Sequence, residues 1–267
     1  MSMKIFDCFT FFNEIELLDL RLMVLNDYVD SFVIVESNKT HTGKTKEFVF
    51  EKYKDMFSDY MSKIIYVKVE DLPNYSRNNI WLPENFQRTC IERGLTSAEV
   101  GDKIIVSDVD EIPNPISLFQ HLDTTDPVVL EHKLFYYYVN CLQSQPWTGA
   151  YMTTRGYYTS LQQLREKALT TLAFGAISGG GWHYSYMGGA EKIRLKVENI
   201  AESHVIIDKV GSISDISNKI MSQEDLWGRT DATFKKQIVD ITKEGMSPAC
   251  INKFIKRYPT FYFTQEN

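Results

Sequence analysis

Four short apolar runs rich in β-branched residues limit most strongly how the first half of this chain can fold. Between the first two runs, Leu18, Leu22 and Leu25 lie on one helical face. A second helical pattern, residues 83–95, precedes the fourth run. Strands that alternate with helices predict βαβ units, and therefore an α/β fold of the Rossmann type with a mixed, mostly parallel central sheet flanked by helices. The four runs are residues 4–11, 31–37, 63–69 and 103–108.

The chain has a different pattern after Pro115, with longer aromatic stretches. Residues 127–140 and 148–159 predict antiparallel strands, and glycines flank a short predicted strand within residues 178–189. Residues 191–198 alternate acidic and basic side chains at helical spacing, which is typical of a helix face in water. These patterns predict a second half that completes the sheet and adds helices to it.

No segment rich in Pro, Gly or Ser divides the chain. We expect a single domain over residues 1–267, in which residues 1–115 bind a nucleotide and residues 116–267 shape the site for an acceptor. The net charge of −6 argues against a nucleic-acid partner, which needs a basic face. No run approaches the roughly 18 apolar residues of a membrane span, and Asp7 interrupts the apolar N-terminus. Four dispersed cysteines suggest reduced thiols, so we expect a cytoplasmic protein.

The fourth apolar run ends in a cluster of carboxylates. Asp108 and Asp110 follow the strand at a spacing of two, which directs both side chains to the same side. Neighbouring carboxylates repel each other unless a cation neutralises them, and oxygen ligands favour Mg²⁺ or Mn²⁺. The alternative is a solvated acidic turn. The apolar strand before the cluster, and Pro113 and Pro115 after Glu111, favour the metal site.

Polar side chains also follow the first two runs. Asn13, Glu14 and Glu36 are expected at the same sheet edge as the carboxylates, where ligands of an open α/β sheet bind. Arg88, on the predicted helix, is in a position to meet a phosphate. The alternatives are a structural strand-end role for Glu36 and a surface salt bridge for Arg88. Neither a GxGxxG nor a P-loop signature is present, which argues against those two nucleotide-binding modes.

The glycine-flanked block holds Trp182 and His183. Glycine allows other groups to approach the backbone closely. Trp182 is expected either to stack on a sugar or to pack in the core. His183 is either a structural histidine or a further ligand for Mn²⁺ already held by aspartate.

Four blocks together resemble glycosyltransferase family 17, and they occur in the order of that family between about residue 4 and residue 200. The resemblance implies a GT-A-like fold, a UDP-sugar donor with N-acetylglucosamine as the expected sugar, a glycan acceptor, a divalent metal and inversion at the anomeric carbon. It also implies that Asp110 ligates the metal and that Asp108 binds the ribose or a metal-bound water. His183 would contact the metal or the diphosphate. The blocks are residues 13–22, 29–48, 107–113 and 180–189.

An inverting transfer needs a base that removes the proton of the acceptor hydroxyl. Glu111 is adjacent to the predicted metal ligands, and Glu191, which follows the glycine-flanked block, is the residue that we favour. Spacing leaves three other carboxylates open: Glu131, Glu224 and Asp225.

Three rival functions share parts of the pattern. A phosphatase of the haloacid dehalogenase type carries Asp-x-Asp near its N-terminus, with Thr or Val where this chain has Ile112. A nucleotidyltransferase shares the metal and the sheet, but it usually has a glycine- and lysine-rich N-terminal loop. A non-catalytic sugar-binding module explains the aromatic residues but not the carboxylates. We therefore expect a metal-dependent inverting glycosyltransferase.

Overall fold

The computed structural model describes residues 3–170 and 174–264. The strands are β1 (Ile5–Phe11), β2 (Ser31–Ser37), β3 (Ile64–Val69), β4 (Lys103–Asp108), β5 (Glu111–Pro113), β6 (Val128–Tyr136), β7 (Cys141–Gln143), β8 (Tyr151–Thr154), β9 (Gly175–Ser185) and β10 (Lys236–Ile238). The helices are α1 (Ile15–Leu25), α2 (Val49–Tyr53), α3 (Leu82–Thr89), α4 (Pro115–Phe119), α5 (Leu161–Leu169), α6 (Ala190–Asn199), α7 (Ser203–Val210), α8 (Ile213–Met221) and α9 (Ile251–Arg257). None of the helices in the described ranges is long and apolar enough to cross a membrane.

The strands form one sheet in the order β10-β7-β6-β8-β4-β1-β2-β3, with β9 beside β6 and β5 beside β9. Strands β4, β1, β2 and β3 are parallel, whereas β8 pairs antiparallel with both β4 and β6. The predicted α/β fold with a mixed sheet is confirmed. Strand β9 differs from the short strand predicted, because its 11 residues run through Gly179–Gly181. A Cβ on Gly181 would lie 2.3 Å from the Ile112 carbonyl oxygen, so glycine lets β9 pass close to β5.

Apolar side chains cover both faces of the parallel part of the sheet. The cluster on one face includes Phe9, Ile34 and Ile105 together with Leu18, Leu22 and Leu25 of α1. The cluster on the other face includes Cys8, Val33 and Val106 together with Ile91 and Leu95, which follow α3. The apolar residues predicted on one face of α1 are buried, but burial is not confined to that face, since Leu17, Leu20 and Val24 belong to the same cluster.

A third apolar cluster packs α6, α7 and α8 against Tyr136 and Tyr137, at the end of β6. Gly188 and Gly189, with φ of 89° and 86°, turn the chain from β9 into α6. Residues with a side chain rarely adopt such angles, so this turn favours glycine. The turn carries α6 to the carboxyl end of β4, where the candidate site forms.

Candidate active site

A cavity of about 670 Å³ lies at the carboxyl ends of β1 and β4. This volume is within the range of small-molecule sites. Its lining combines charged side chains with aromatic rings. The aromatic residues include Tyr136, Trp147, Tyr186, Trp227 and Phe234. A cavity at this edge of the sheet is where an α/β fold binds its ligands.

Arg21 fixes the turn that carries the carboxylates. Its guanidinium is fully buried and pairs with Asp7 at 2.6 Å. It also donates to the backbone carbonyl oxygens of Asp108 and Glu111, each at 2.9 Å, and to the Ser107 hydroxyl at 2.6 Å. A planar guanidinium can hold several acceptors at fixed angles. The Arg21 side chain therefore holds the backbone of residues 107–111 in place.

Asp108 is held by two arginines. Its carboxylate lies 2.9 Å from Arg165 and 3.0 Å from Arg88, and it accepts a hydrogen bond from the Thr10 hydroxyl at 3.0 Å. Burial by itself raises the pKa of the Asp108 carboxyl, but the charges of Arg165 and Arg88 outweigh burial and hold this pKa well below its usual range. Asp108 is therefore ionised and already neutralised by protein cations.

Glu111 also lines the cavity, although it is adjacent to Asp110 and neighbouring residues of a strand point to opposite sides. Arg165 donates to both of its carboxylate oxygens, at 2.7 and 2.8 Å, and the Trp147 indole N–H donates at 2.5 Å. The amide of Asp108 donates to it at 2.9 Å. Because Arg165 bridges Glu111 and Asp108, it joins the two carboxylates into one network.

Asp110 is paired with a lysine from α6. The Lys196 ammonium lies 2.7 Å from its carboxylate, and His183 lies 3.7 Å from the same oxygen. Burial raises the pKa of the Asp110 carboxyl, but the charges of Lys196 and His183 lower it further than burial raises it. For Lys196, burial lowers the pKa, and the charges of Asp110 and Glu14 raise it more. Both groups of the pair are therefore charged at neutral pH.

The placed side chains do not fit the divalent metal that we predicted. Among the described residues, no group of three His, Cys, Asp or Glu side chains has the arrangement of a metal site. Both carboxylate oxygens of Asp108 accept hydrogen bonds from arginines, Arg88 and Arg165, and one oxygen of Asp110 accepts a hydrogen bond from Lys196. The metal role of Asp108, Asp110 and His183 stays a prediction that this arrangement does not support.

Four of the predicted site residues lie outside the lining of this cavity. Glu36 is buried, and its carboxylate accepts hydrogen bonds at 2.6 and 3.0 Å from two backbone amides at the start of α2. Trp182 is 5% exposed in the core cluster of α1. Glu191 is exposed on the first turn of α6, and Asn13 lines a smaller neighbouring pocket. The predicted residues that line the large cavity are Glu14, Arg88, Asp108, Asp110, Glu111 and His183.

The positions of two of these residues have plain physical reasons. The free N–H groups at the start of a helix need acceptors, and Glu36 supplies them for α2. Glu36 therefore has the structural strand-end role that we considered as the alternative to ligand binding. Arg88 is 3% exposed and pairs with Asp108, so it is not the surface salt bridge that we considered for it.

Sequence reasoning missed several residues of the site. Lys196 belongs to residues 191–198, which were interpreted as a solvated helix face. Arg165 lies on α5, 54 residues along the chain from Glu111, and no local pattern marks it. The nearest available signal was the carboxylate cluster itself, since three adjacent acids in a folded protein require cations nearby.

Glu202, which precedes α7, brings an unpaired carboxylate to the cavity. Its side chain has no hydrogen bond or ion pair with any residue that the structure describes. Burial, followed by the negative charge of Glu84, raises the pKa of the Glu202 carboxyl. A carboxylate without a cationic partner is available to accept a proton from a ligand in the cavity.

The fold and this cavity define an α/β protein with a small-molecule site lined by charged and aromatic side chains. The model of the family described as Glycosyltransferase family 17 matches residues 1–250. The chain therefore belongs to glycosyltransferase family 17.

Three curated relatives support this assignment over part of the chain. Each is named "Beta-1,4-mannosyl-glycoprotein 4-beta-N-acetylglucosaminyltransferase". The Homo sapiens and Rattus norvegicus proteins are 32% identical to this chain over 107 residues, and the Mus musculus protein is 31% identical over 107 residues. The matched stretch covers 38% of this chain and 20% of each relative.

Proposed function

We propose that this protein transfers N-acetylglucosamine from its UDP-sugar to a hydroxyl group of a glycan, with inversion at the anomeric carbon. The names of the relatives suggest the sugar and the class of acceptor. The observation that carries the proposal is the cavity at the carboxyl ends of β1 and β4, which combines cations, carboxylates and aromatic rings in about 670 Å³.

The charged part of the lining suits a diphosphate. Lys39, Arg88 and Lys196 reach the cavity from three different segments: the loop after β2, α3 and α6. Ammonium and guanidinium groups form strong, charge-assisted hydrogen bonds with phosphate oxygens. The aromatic rings of the lining offer apolar faces to a uracil or a sugar ring.

The proposed reaction is a single displacement. The acceptor oxygen forms a bond to the anomeric carbon on one face, while the bond from that carbon to the diphosphate breaks on the other. The electron pair of the broken bond leaves with UDP, and the proton of the acceptor passes to a carboxylate.

Glu202 is our candidate for this base. Its carboxylate lines the cavity and is unpaired among the described residues. Both carboxylate oxygens of Glu111, in contrast, already accept hydrogen bonds, from Arg165 and from Trp147. Glu191 lies outside the cavity lining.

The test is a panel of nucleotide sugars with the released UDP measured, in the presence and absence of a mannose-containing glycan. UDP-N-acetylglucosamine should be consumed, and the glycan should accelerate UDP release. The product should carry a β-linked sugar, as NMR of the anomeric proton would show. Absence of UDP release across the whole panel would overturn the proposal, and pyrophosphate release from UTP and a sugar phosphate would indicate a nucleotidyltransferase instead.

A further inference from the structure

The contact between Lys196 and Asp110 places a positive charge where a metal ion was expected. The Lys196 ammonium lies 2.7 Å from the Asp110 carboxylate, whose side chain is 5% exposed. Lys196 keeps 26% of its own side-chain surface accessible and lines the cavity. An ammonium group has three N–H donors, and the hydrogen bond to Asp110 uses one of them. Donors therefore remain for a ligand in the cavity.

Each carboxylate of the β4–β5 turn already has a cationic partner from the protein. The carboxylates of Asp108, Asp110 and Glu111 face three cationic side chains, which are Arg88, Arg165 and Lys196. Glu14 and Glu84 also pair with Lys196 and Arg88, so the cluster as a whole is not neutral. A divalent ion at the Asp110 oxygen that Lys196 holds would nevertheless have to displace the ammonium. The electrostatic attraction that draws a divalent cation to bare carboxylates is therefore weakened here.

The position of Lys196 is fixed by the fold. Ile193 and Val197, on the same helix, are buried in the third apolar cluster. The Gly188–Gly189 turn sets where α6 begins. A ligand group held in place before binding loses less conformational entropy when the ligand arrives.

We propose that Lys196, held by Asp110, binds the diphosphate of the donor in the place that a divalent ion would take, so that the nucleotide binds without a metal. This inference rests on the proposed function, since it assumes a UDP-sugar donor. In this arrangement Asp110 orients the ammonium instead of ligating an ion.

The experiment is calorimetric titration of the whole protein with UDP, in EDTA and in Mn²⁺. The dissociation constants in the two buffers should agree within about threefold. Lys196→Met should weaken UDP binding in EDTA by about 10- to 100-fold, which is the effect of losing a charge-assisted hydrogen bond. Lys192→Met is the matched control: Lys192 lies on the same helix, is 45% exposed and pairs with Glu16, and its loss should leave UDP binding unchanged.

A second variant separates loss of charge from loss of folding. Lys196→Arg keeps the positive charge and should retain most of the UDP binding in EDTA, whereas a fold defect would appear in the thermal melt of Lys196→Met. UDP binding that requires Mn²⁺ and disappears in EDTA would overturn this inference and leave the proposed function intact. Absence of UDP binding in both buffers would overturn the inference together with the UDP-sugar donor of the proposed function.

Discussion

Arg21 connects the core to the chemistry of the site, because it pairs with Asp7 inside the sheet and also binds the backbone of the carboxylate turn. Arg21→Met should lower the free energy of unfolding by about 3–5 kcal/mol, since it leaves the buried Asp7 carboxylate without its partner. Urea unfolding would measure the change. Arg93→Met is the control: its pair with Asp71 is 42% and 59% exposed, and its loss should cost less than about 1 kcal/mol. Equal losses in the two variants would contradict the role given to Arg21.

Glu202 should control the rate of transfer if it is the base. Glu202→Gln should lower kcat by about 10²- to 10⁴-fold, the usual contribution of general base catalysis. The affinity for UDP should change little, because this residue is not needed to bind the diphosphate. Glu198→Gln is the control, since Glu198 pairs with Arg194 on α6. A Glu202→Gln variant with a normal kcat would remove Glu202 from the mechanism.

The pH dependence of the rate follows from the same residue. Burial and the charge of Glu84 raise the pKa of Glu202, so the active, ionised form is lost as the pH falls through this raised value. The acid limb of the kcat profile should therefore lie above the ordinary glutamate pKa of about 4.3. Glu84→Gln removes one of the two causes and should move the limb to lower pH. An unchanged limb in that variant would show that another group titrates.

At the scale of single elements, α6 shows where prediction from the sequence succeeds and where it stops. The helix itself follows from the helical spacing of its charged residues, and it is present as predicted. The sequence predicts that Asp108 and Asp110 share one side because period-two geometry is local. It does not predict that Lys196 contacts Asp110, because these residues are 86 positions apart. A solvent-exposed lysine on a helix would show the same local sequence pattern as Lys196. The contact depends on the path of the whole chain.

The turn before α6 provides a test at this scale. Gly189 has φ 86° and ψ 176°, a region of backbone space that is essentially restricted to glycine. A Cβ there would meet no atom within 4 Å, so Gly189→Ala should act through backbone strain alone. We expect the free energy of unfolding to fall by about 1–3 kcal/mol, and UDP binding to weaken because α6 carries Lys196.

The control for this variant is Gly175→Ala. Gly175 is also in open space but lacks a positive φ, so its substitution should change the free energy of unfolding very little. Denaturant unfolding of both variants would measure the difference. If both variants unfolded at the same denaturant concentration, the backbone conformation of Gly189 would not require glycine.

At the scale of the whole molecule, the cavity draws on both halves of the chain. The carboxylates of the β4–β5 turn and Arg88 belong to the first half. Lys196, Glu202 and most of the aromatic rings of the lining belong to the second half. Two contacts also join the halves beside these residues: the Thr42 hydroxyl lies 3.5 Å from the Glu198 carbonyl oxygen, and the Tyr75 hydroxyl lies 3.2 Å from His204. The cavity is therefore built from both halves, and the assignment of the nucleotide to one half and the acceptor to the other stays a prediction.

A donor bound in this cavity should therefore protect both halves from hydrogen exchange. With saturating UDP, amide exchange measured by mass spectrometry should slow in the peptides that contain the β4–β5 turn and in those that contain α6. Ligand binding suppresses local opening only where the ligand or its contacts hold the chain. Peptides from α9, which does not line the cavity, serve as the internal control. Protection confined to residues 1–115 would mean that α6 does not contact the nucleotide, and Lys196 would then have no part in binding it.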